Sequence, residues 1–222
     1  MDVIELLETA ALLTPEETAT DNDLTARDVW DLLAHDEWET ALNLLEEAGS
    51  ARPLPVTLWE RLADAARQLH LERSTAWCHW RAAEIRNGMI RADLTLGARG
   101  APVPGPGILR PVWDISNLSP TGEPAVNIAA LWLENTRSLD PGDRATARLV
   151  PLTPTQWQHV RPGRRITMHE GRPTIATAVV TEVHLPTPSP GLTPKRTPYD
   201  DRRRRRRPAA TRKGLATGAT AE

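Results

Sequence analysis

The sequence predicts an α+β protein, with helices first, a small antiparallel β domain after them and a disordered tail at the end. Three observations carry this prediction. Apolar residues recur at three- and four-residue spacing through much of the first 87 residues. At Gly97 the composition turns to Gly and Pro, and beyond it short runs rich in Val, Ile, Leu and Thr alternate with Pro-Gly turns. After Pro186 the chain is rich in Pro, Thr and Arg with almost no apolar content, so it lacks the means to bury a core.

In chain order, Thr25-Ala26-Arg27-Asp28 fits a capping box and opens a helix to Ala34. Asp36 is placed to cap a second helix with Trp38, Ala41, Leu42, Leu44 and Leu45 on one face and Gly49 as its stop. After Pro53 and Pro55, Thr57-Leu58-Trp59-Glu60 is a second capping box, opening a helix with Leu58, Leu62, Ala65, Ala66 and Leu69 on one side. A last helix runs from about Ser74 to Arg86 and ends at Asn87-Gly88. Short loops favour antiparallel packing of these helices. Trp30, Trp38, Trp59, Trp77 and Trp80 are expected in the core, because the chain has eight Trp and no Phe.

Residues 97–107, GARGAPVPGPG, cannot be helical and read as a linker or an extended edge. Strands are expected at Leu109–Asp114, Val126–Glu134, Arg144–Leu152, Arg164–His169 and Thr174–Leu185, which fits a small barrel or a sandwich. The expected divisions are residues 1–90 (acidic helical domain), 91–108 (linker), 109–185 (β domain) and 186–222 (disordered tail).

The net charge of −2 hides a polarity along the chain. Residues 1–90 hold eighteen acids against seven bases, residues 91–185 eight against ten, and residues 186–222 three against ten. The two ends therefore suit different partners, or each other. Arg outnumbers Lys 25 to 2 beside abundant Ala and Pro, a bias that points to a GC-rich, bacterial gene. Cys78 is the sole cysteine, so an internal disulfide is excluded. No apolar run approaches the roughly eighteen residues of a membrane span, and the acidic start MDVIELLETAALL is unlike a secretory signal. The expectation is a cytoplasmic protein without a membrane partner.

Leu139-Asp140-Pro141-Gly142-Asp143-Arg144, the strand Ala145–Pro151, the turn Arg161-Pro162-Gly163 and the hairpin of residues 163–183 resemble the C-terminal β-barrel of elongation factor Tu. In the hairpin a charged turn, His169-Glu170-Gly171-Arg172-Pro173, separates two β-rich runs, as in that family. The resemblance covers about residues 105–185 and implies a barrel rather than a sandwich. It departs from the family at Ala176 and Ala178, where the family has Gly, and in shorter intervening strands. The family's barrel contacts tRNA and its own nucleotide domain. That nucleotide domain has no counterpart, since both the Gly-x-x-x-x-Gly-Lys-Ser/Thr loop and the Asn-Lys-x-Asp motif are missing, and no nucleotide cofactor is expected. Residues 24–85, and Asp28 to Leu42 above all, resemble the helical MafI-type immunity proteins of polymorphic toxin systems.

Residues with catalytic chemistry in their side chains do not assemble into a pattern. His35-Asp36-Glu37 reads as an inter-helix turn, because adjacent residues rarely face one ion and His-Glu-x-x-His spacing is missing. Cys78 and His79 are successive positions of a helix, about 100° apart, so they do not form a nucleophile–base pair and Cys78 reads as structural. His169-Glu170 reads as a solvated turn. The sequence therefore points to a non-enzymatic binding protein without cofactor or metal, of immunity or adaptor type, whose acidic face meets a basic protein. Asp28, Asp31, Asp36, Glu37, Glu46 and Glu47 would steer that association, with exposed edges of Trp38 or Trp59 as anchors. The alternative is an RNA- or translation-associated protein without GTPase activity. It would bind tRNA or another RNA through the barrel and the arginine run Arg202, Arg203, Arg204, Arg205, Arg206 and Arg207.

Overall fold

Helix α1 (Val3–Leu12) opens the chain on a capping box that joins Asp2 and Glu5. Helices α2 (Asp28–Ala34), α3 (Trp38–Ala51), α4 (Val56–Gln68) and α5 (Glu72–Asn87) follow. This computed structural model describes residues 1–187 apart from 19, 21–23, 52–53, 99–100, 119–121, 123–124 and 172. The expected disordered tail beyond them, with Arg202 to Arg207, lies outside the described residues.

Helix α4 packs on α1 and α5, and α2 on α3. Their shared core holds Leu42, Leu45, Leu58, Trp59 and Leu62, all fully buried. Several expected helix ends differ. Asp36 takes a left-handed backbone (φ 60°), and Glu37 accepts the first bond of α3 from the Ala41 N–H, so Glu37 and not Asp36 holds the cap position. Thr57 lies within the first turn of α4, which starts on Pro55 without a side-chain cap. Helix α3 runs through Gly49 to Ala51. A Cβ on Gly49 would lie 2.5 Å from the Trp59 ring, so this glycine makes room for tryptophan and does not end the helix. Trp30 is 39 % exposed because Val29 and Leu33 take the inward face of α2.

Six strands close an antiparallel barrel in the order β1-β6-β4-β3-β7-β8. They are β1 (Met89–Leu96), β3 (Val112–Asp114), β4 (Asn127–Leu133), β6 (Arg144–Pro151), β7 (Arg165–His169) and β8 (Thr174–His184). A separate two-stranded ribbon joins β2 (Val103–Pro104) to β5 (Ser138–Leu139). All five expected strands are present. The expected linker at 91–108 is corrected: its first six residues belong to β1, which pairs with both β6 and β8. The reason is alternation, with Ile90, Ala92, Leu94 and Leu96 inward and Arg91, Asp93 and Thr95 outward. Trp113 and Trp157 fill the interior with Leu131, Leu149, Ile166 and Met168.

One residue, Gly88, joins α5 to β1. Its φ is +80°, and a Cβ there would lie 2.4 Å from the His184 carbonyl oxygen, so no other residue fits without displacement. This tight joint lays α5 on the outer face of the barrel. Register aligns Glu182, Arg91, Arg148 and Trp132 in a row across β8, β1, β6 and β4. Trp80, Trp132 and Val150 form a small apolar cluster between helix and barrel. Beside it Glu84 of α5 accepts from Arg148 Nε at 2.6 Å, Arg148 Nη2 at 2.7 Å and Trp80 Nε1 at 2.7 Å, and also from Arg81. The chain of pairs continues from Arg148 to Glu134 at 3.1 Å, to Arg91 at 2.9 Å and to Glu182 at 2.9 Å.

Candidate functional site

Four of the six acids picked from the sequence meet at one place. Asp28 and Asp31 of α2, Glu37 before α3 and Glu47 within it line a groove of about 330 Å³. Leu24, Leu32 and Leu44 supply apolar lining, and among the described residues no Lys or Arg lines it. The two helices arrive there because the turn through His35 and Asp36 folds α3 back on α2, with the Glu37 N–H donating to the Leu32 carbonyl at 2.9 Å. His35 Nδ1 lies 2.7 Å from the Asp31 carbonyl oxygen, which fixes the ring on the last turn of α2.

The acids differ in how freely they present charge. Asp28 accepts from the Thr25 N–H at 2.6 Å and the Thr25 hydroxyl at 2.9 Å. These bonds, the backbone one foremost, hold its carboxyl below the usual value. Asp31 and Glu37 are exposed and Glu47 is half-buried. Asp36 is exposed but lies outside the groove lining.

Glu46 is not part of this face. It turns toward α5, where the Cys78 thiol donates to its carboxylate at 3.3 Å, and it opens on a polar cleft of about 700 Å³ beside Arg73, Trp77 and Trp132. Burial raises its carboxyl above the usual value, against hydrogen bonds from Cys78 and Ser74 that lower it. Burial, with the neighbouring Glu46 carboxylate, also pushes the Cys78 thiol well above its usual range, so the thiolate is strongly disfavoured. Cys78 is fully buried, as the structural reading expects.

Neither expected aromatic anchor stands free. Trp59 has no exposed surface: Gly49 makes space for it and the Arg81 guanidinium lies 5.0 Å from its ring centre. Trp38 is half-buried and packs against the helical core, with its Nε1 enclosed. Burial at a helix interface uses up the apolar area that an anchor would offer. The exposed apolar residue at the groove is instead Leu24, 45 % exposed, which sequence reasoning passed over because it precedes the first periodic helix. Among the described residues, no group of three or more His, Cys, Asp or Glu is arranged to hold a metal ion, and no helix is long and apolar enough to cross a membrane.

No protein-family model matches the chain, and no curated protein matches it. The likenesses to elongation-factor barrels and helical immunity proteins rest on the motifs quoted above.

Proposed function

We propose that this is a non-enzymatic binding protein, of the immunity or adaptor kind, that engages a basic protein partner through the α2–α3 groove. The observation that supports this is the convergence of Asp28, Asp31, Glu37 and Glu47 on a leucine-lined groove with no basic lining residue among the described residues. Such a groove suits a segment in which an aliphatic side chain is flanked by Arg or Lys. The apolar contact gives residence time, and the carboxylates steer encounter. The barrel then serves as the platform that carries α5 and, through α4 and α1, the helical layer.

The test is association kinetics with the purified partner. Reversing Asp31 and Glu37 to Lys should slow association about tenfold at low salt and leave dissociation nearly unchanged. An association rate that ignores both the reversal and the salt would remove this reading.

A second reading, binding of tRNA or another RNA, draws support from Arg161, Arg164 and Arg165, all exposed around one Pro-Gly turn of the barrel. It requires that the full chain bind tRNA in a salt-dependent way below about 200 mM salt and that R164Q/R165Q flatten that dependence. Absence of binding under those conditions would dismiss it.

A further inference from the structure

The N-terminal half of α5 and the barrel flank a third hollow, of about 370 Å³, next to the polar cleft, that the proposed protein contact does not use. Its walls are apolar, with Ala76 of α5, Pro106 and Ile108 of the loop after β2, and Trp132 and Leu133 of β4. That loop is a fixed wall. The Leu133 N–H donates to the Gly105 carbonyl at 3.2 Å, the Gly105 N–H donates to the Arg137 carbonyl at 2.8 Å, and the Leu131 N–H donates to the Leu109 carbonyl at 3.1 Å. Gly107 (φ +69°) presses so close that a Cβ there would lie 2.7 Å from the Trp132 ring and 2.9 Å from the Trp80 ring. Ile108 at the lip is 69 % exposed.

The charges at the rim are distinctive. Arg81, Arg91 and Arg148 are spent on Glu84, Glu134 and Glu182. Arg73 on α5 and Arg137 beyond β4 both line the hollow and both are exposed; Arg73 also feels the Glu46 carboxylate across the adjoining polar cleft, and neither guanidinium forms a close ion pair among the described residues. One carboxylate, Glu72, lies with them. Two exposed guanidiniums without a close carboxylate contact, over an apolar hollow, suit a ligand whose body displaces water from the walls and whose single anionic group sits between the arginines.

We infer that this hollow binds a small amphiphilic anion, an aryl or alkyl carboxylate, sulfonate or phosphate monoester, with its apolar body against Trp132 and Pro106 and its anionic group at Arg73 and Arg137. The site lies apart from the α2–α3 groove, so its failure and the failure of the protein-binding reading are separate results.

Fluorescence titration of the full chain with two dyes tests it. Anilinonaphthalene sulfonate carries the anion; N-phenylnaphthylamine has nearly the same aromatic body without it. The sulfonate should bind at one site per chain, about tenfold more tightly than the neutral dye. In Arg73→Gln/Arg137→Gln the sulfonate should lose about tenfold in affinity while the neutral dye is unchanged. Ile108→Ser should weaken both dyes. All three substitutions are at exposed positions, and an unchanged near-ultraviolet circular dichroism spectrum excludes dye uptake by unfolded chain. Equal affinity for the two dyes, sulfonate binding unmoved by loss of both arginines, dye binding untouched by Ile108→Ser, or no saturable binding below about 1 mM would each overturn the inference.

Discussion

At the scale of single residues, two positions show how the tryptophan-rich, Phe-free composition is accommodated. Gly49 gives up helix propensity so that Trp59 can fill the centre of the helical layer, with a Cβ position only 2.5 Å from the ring. In an open helix Gly→Ala gains about 1 kcal/mol, whereas overpacking a core costs about 1–3 kcal/mol. Gly49→Ala should therefore bring no gain and lower stability by up to about 2 kcal/mol in urea unfolding, against the propensity scale. A more stable variant would show that the ring moves freely. Glu46 is the second position. Its carboxyl is raised in the folded state by burial, so the folded chain holds a proton that the unfolded chain releases. A raised acid contributes a stability penalty that is absent below the ordinary glutamate value of about 4.5, grows as pH rises from there to the higher folded value, and is constant above it. Glu46→Gln should thus become progressively more stable relative to the parent as pH is raised from acid to neutral. A difference in urea midpoint that does not vary with pH would contradict this.

At the scale of elements, the ion-pair row between α5 and the barrel joins the helical layer to the sheet. The Glu84 carboxylate, 4 % exposed, accepts from Arg81, Arg148 and Trp80. Its removal leaves the enclosed Arg81 guanidinium without an ion-pair partner and Arg148 with Glu134 alone, so Glu84→Ala should cost about 3–5 kcal/mol. Removing Arg148 as well, as Glu84→Ala/Arg148→Met, should cost less than the sum of the two single changes, because the two side chains share one pair of hydrogen bonds that either change alone destroys. Strict additivity would show that the row holds nothing together.

This interface was invisible in the sequence for a definite reason. It depends on cross-strand register, which sets Glu182, Arg91, Arg148 and Trp132 side by side although they are far apart in the chain. The five later strands were legible from β-rich runs between Pro-Gly turns. Strand β1 was legible in principle, since Ile90, Ala92, Leu94 and Leu96 alternate with polar residues, but the Gly- and Pro-rich stretch after it drew the boundary too early. Helix α1 carried its own signature in Asp2 and Glu5. The missed helix ends at Asp36 and Gly49 share one cause: Asp and Gly favour boundaries in isolation, and tertiary packing placed both otherwise.

At the scale of the whole molecule, the segregation of charge read from the sequence takes concrete form, among the described residues, at the helical end. Of the six acids chosen there, Asp28, Asp31, Glu37 and Glu47 share a groove, Asp36 lies beside it and Glu46 faces the barrel. Periodicity could place Glu46 and Glu47 on α3, but the side of the helix each took depended on where α5 packed. Of the two tryptophan anchors, Trp59 went wholly into the core and Trp38 packs half-buried against it, as the bulkiest apolar side chains go where the helices meet. The helical end presents a groove with aliphatic lining and a carboxylate rim, joined through α5 to a closed barrel.

The most direct test is a capture comparison from cells that express the protein, with the full chain and the Asp31→Lys/Glu37→Lys variant as baits at low salt and quantitative mass spectrometry as readout. A basic protein retained by the parent chain, released by added salt and absent from the variant is the predicted result. Equal capture of the same proteins by both baits, or capture of acidic proteins alone, would contradict the claim that this groove is where the molecule meets its partner.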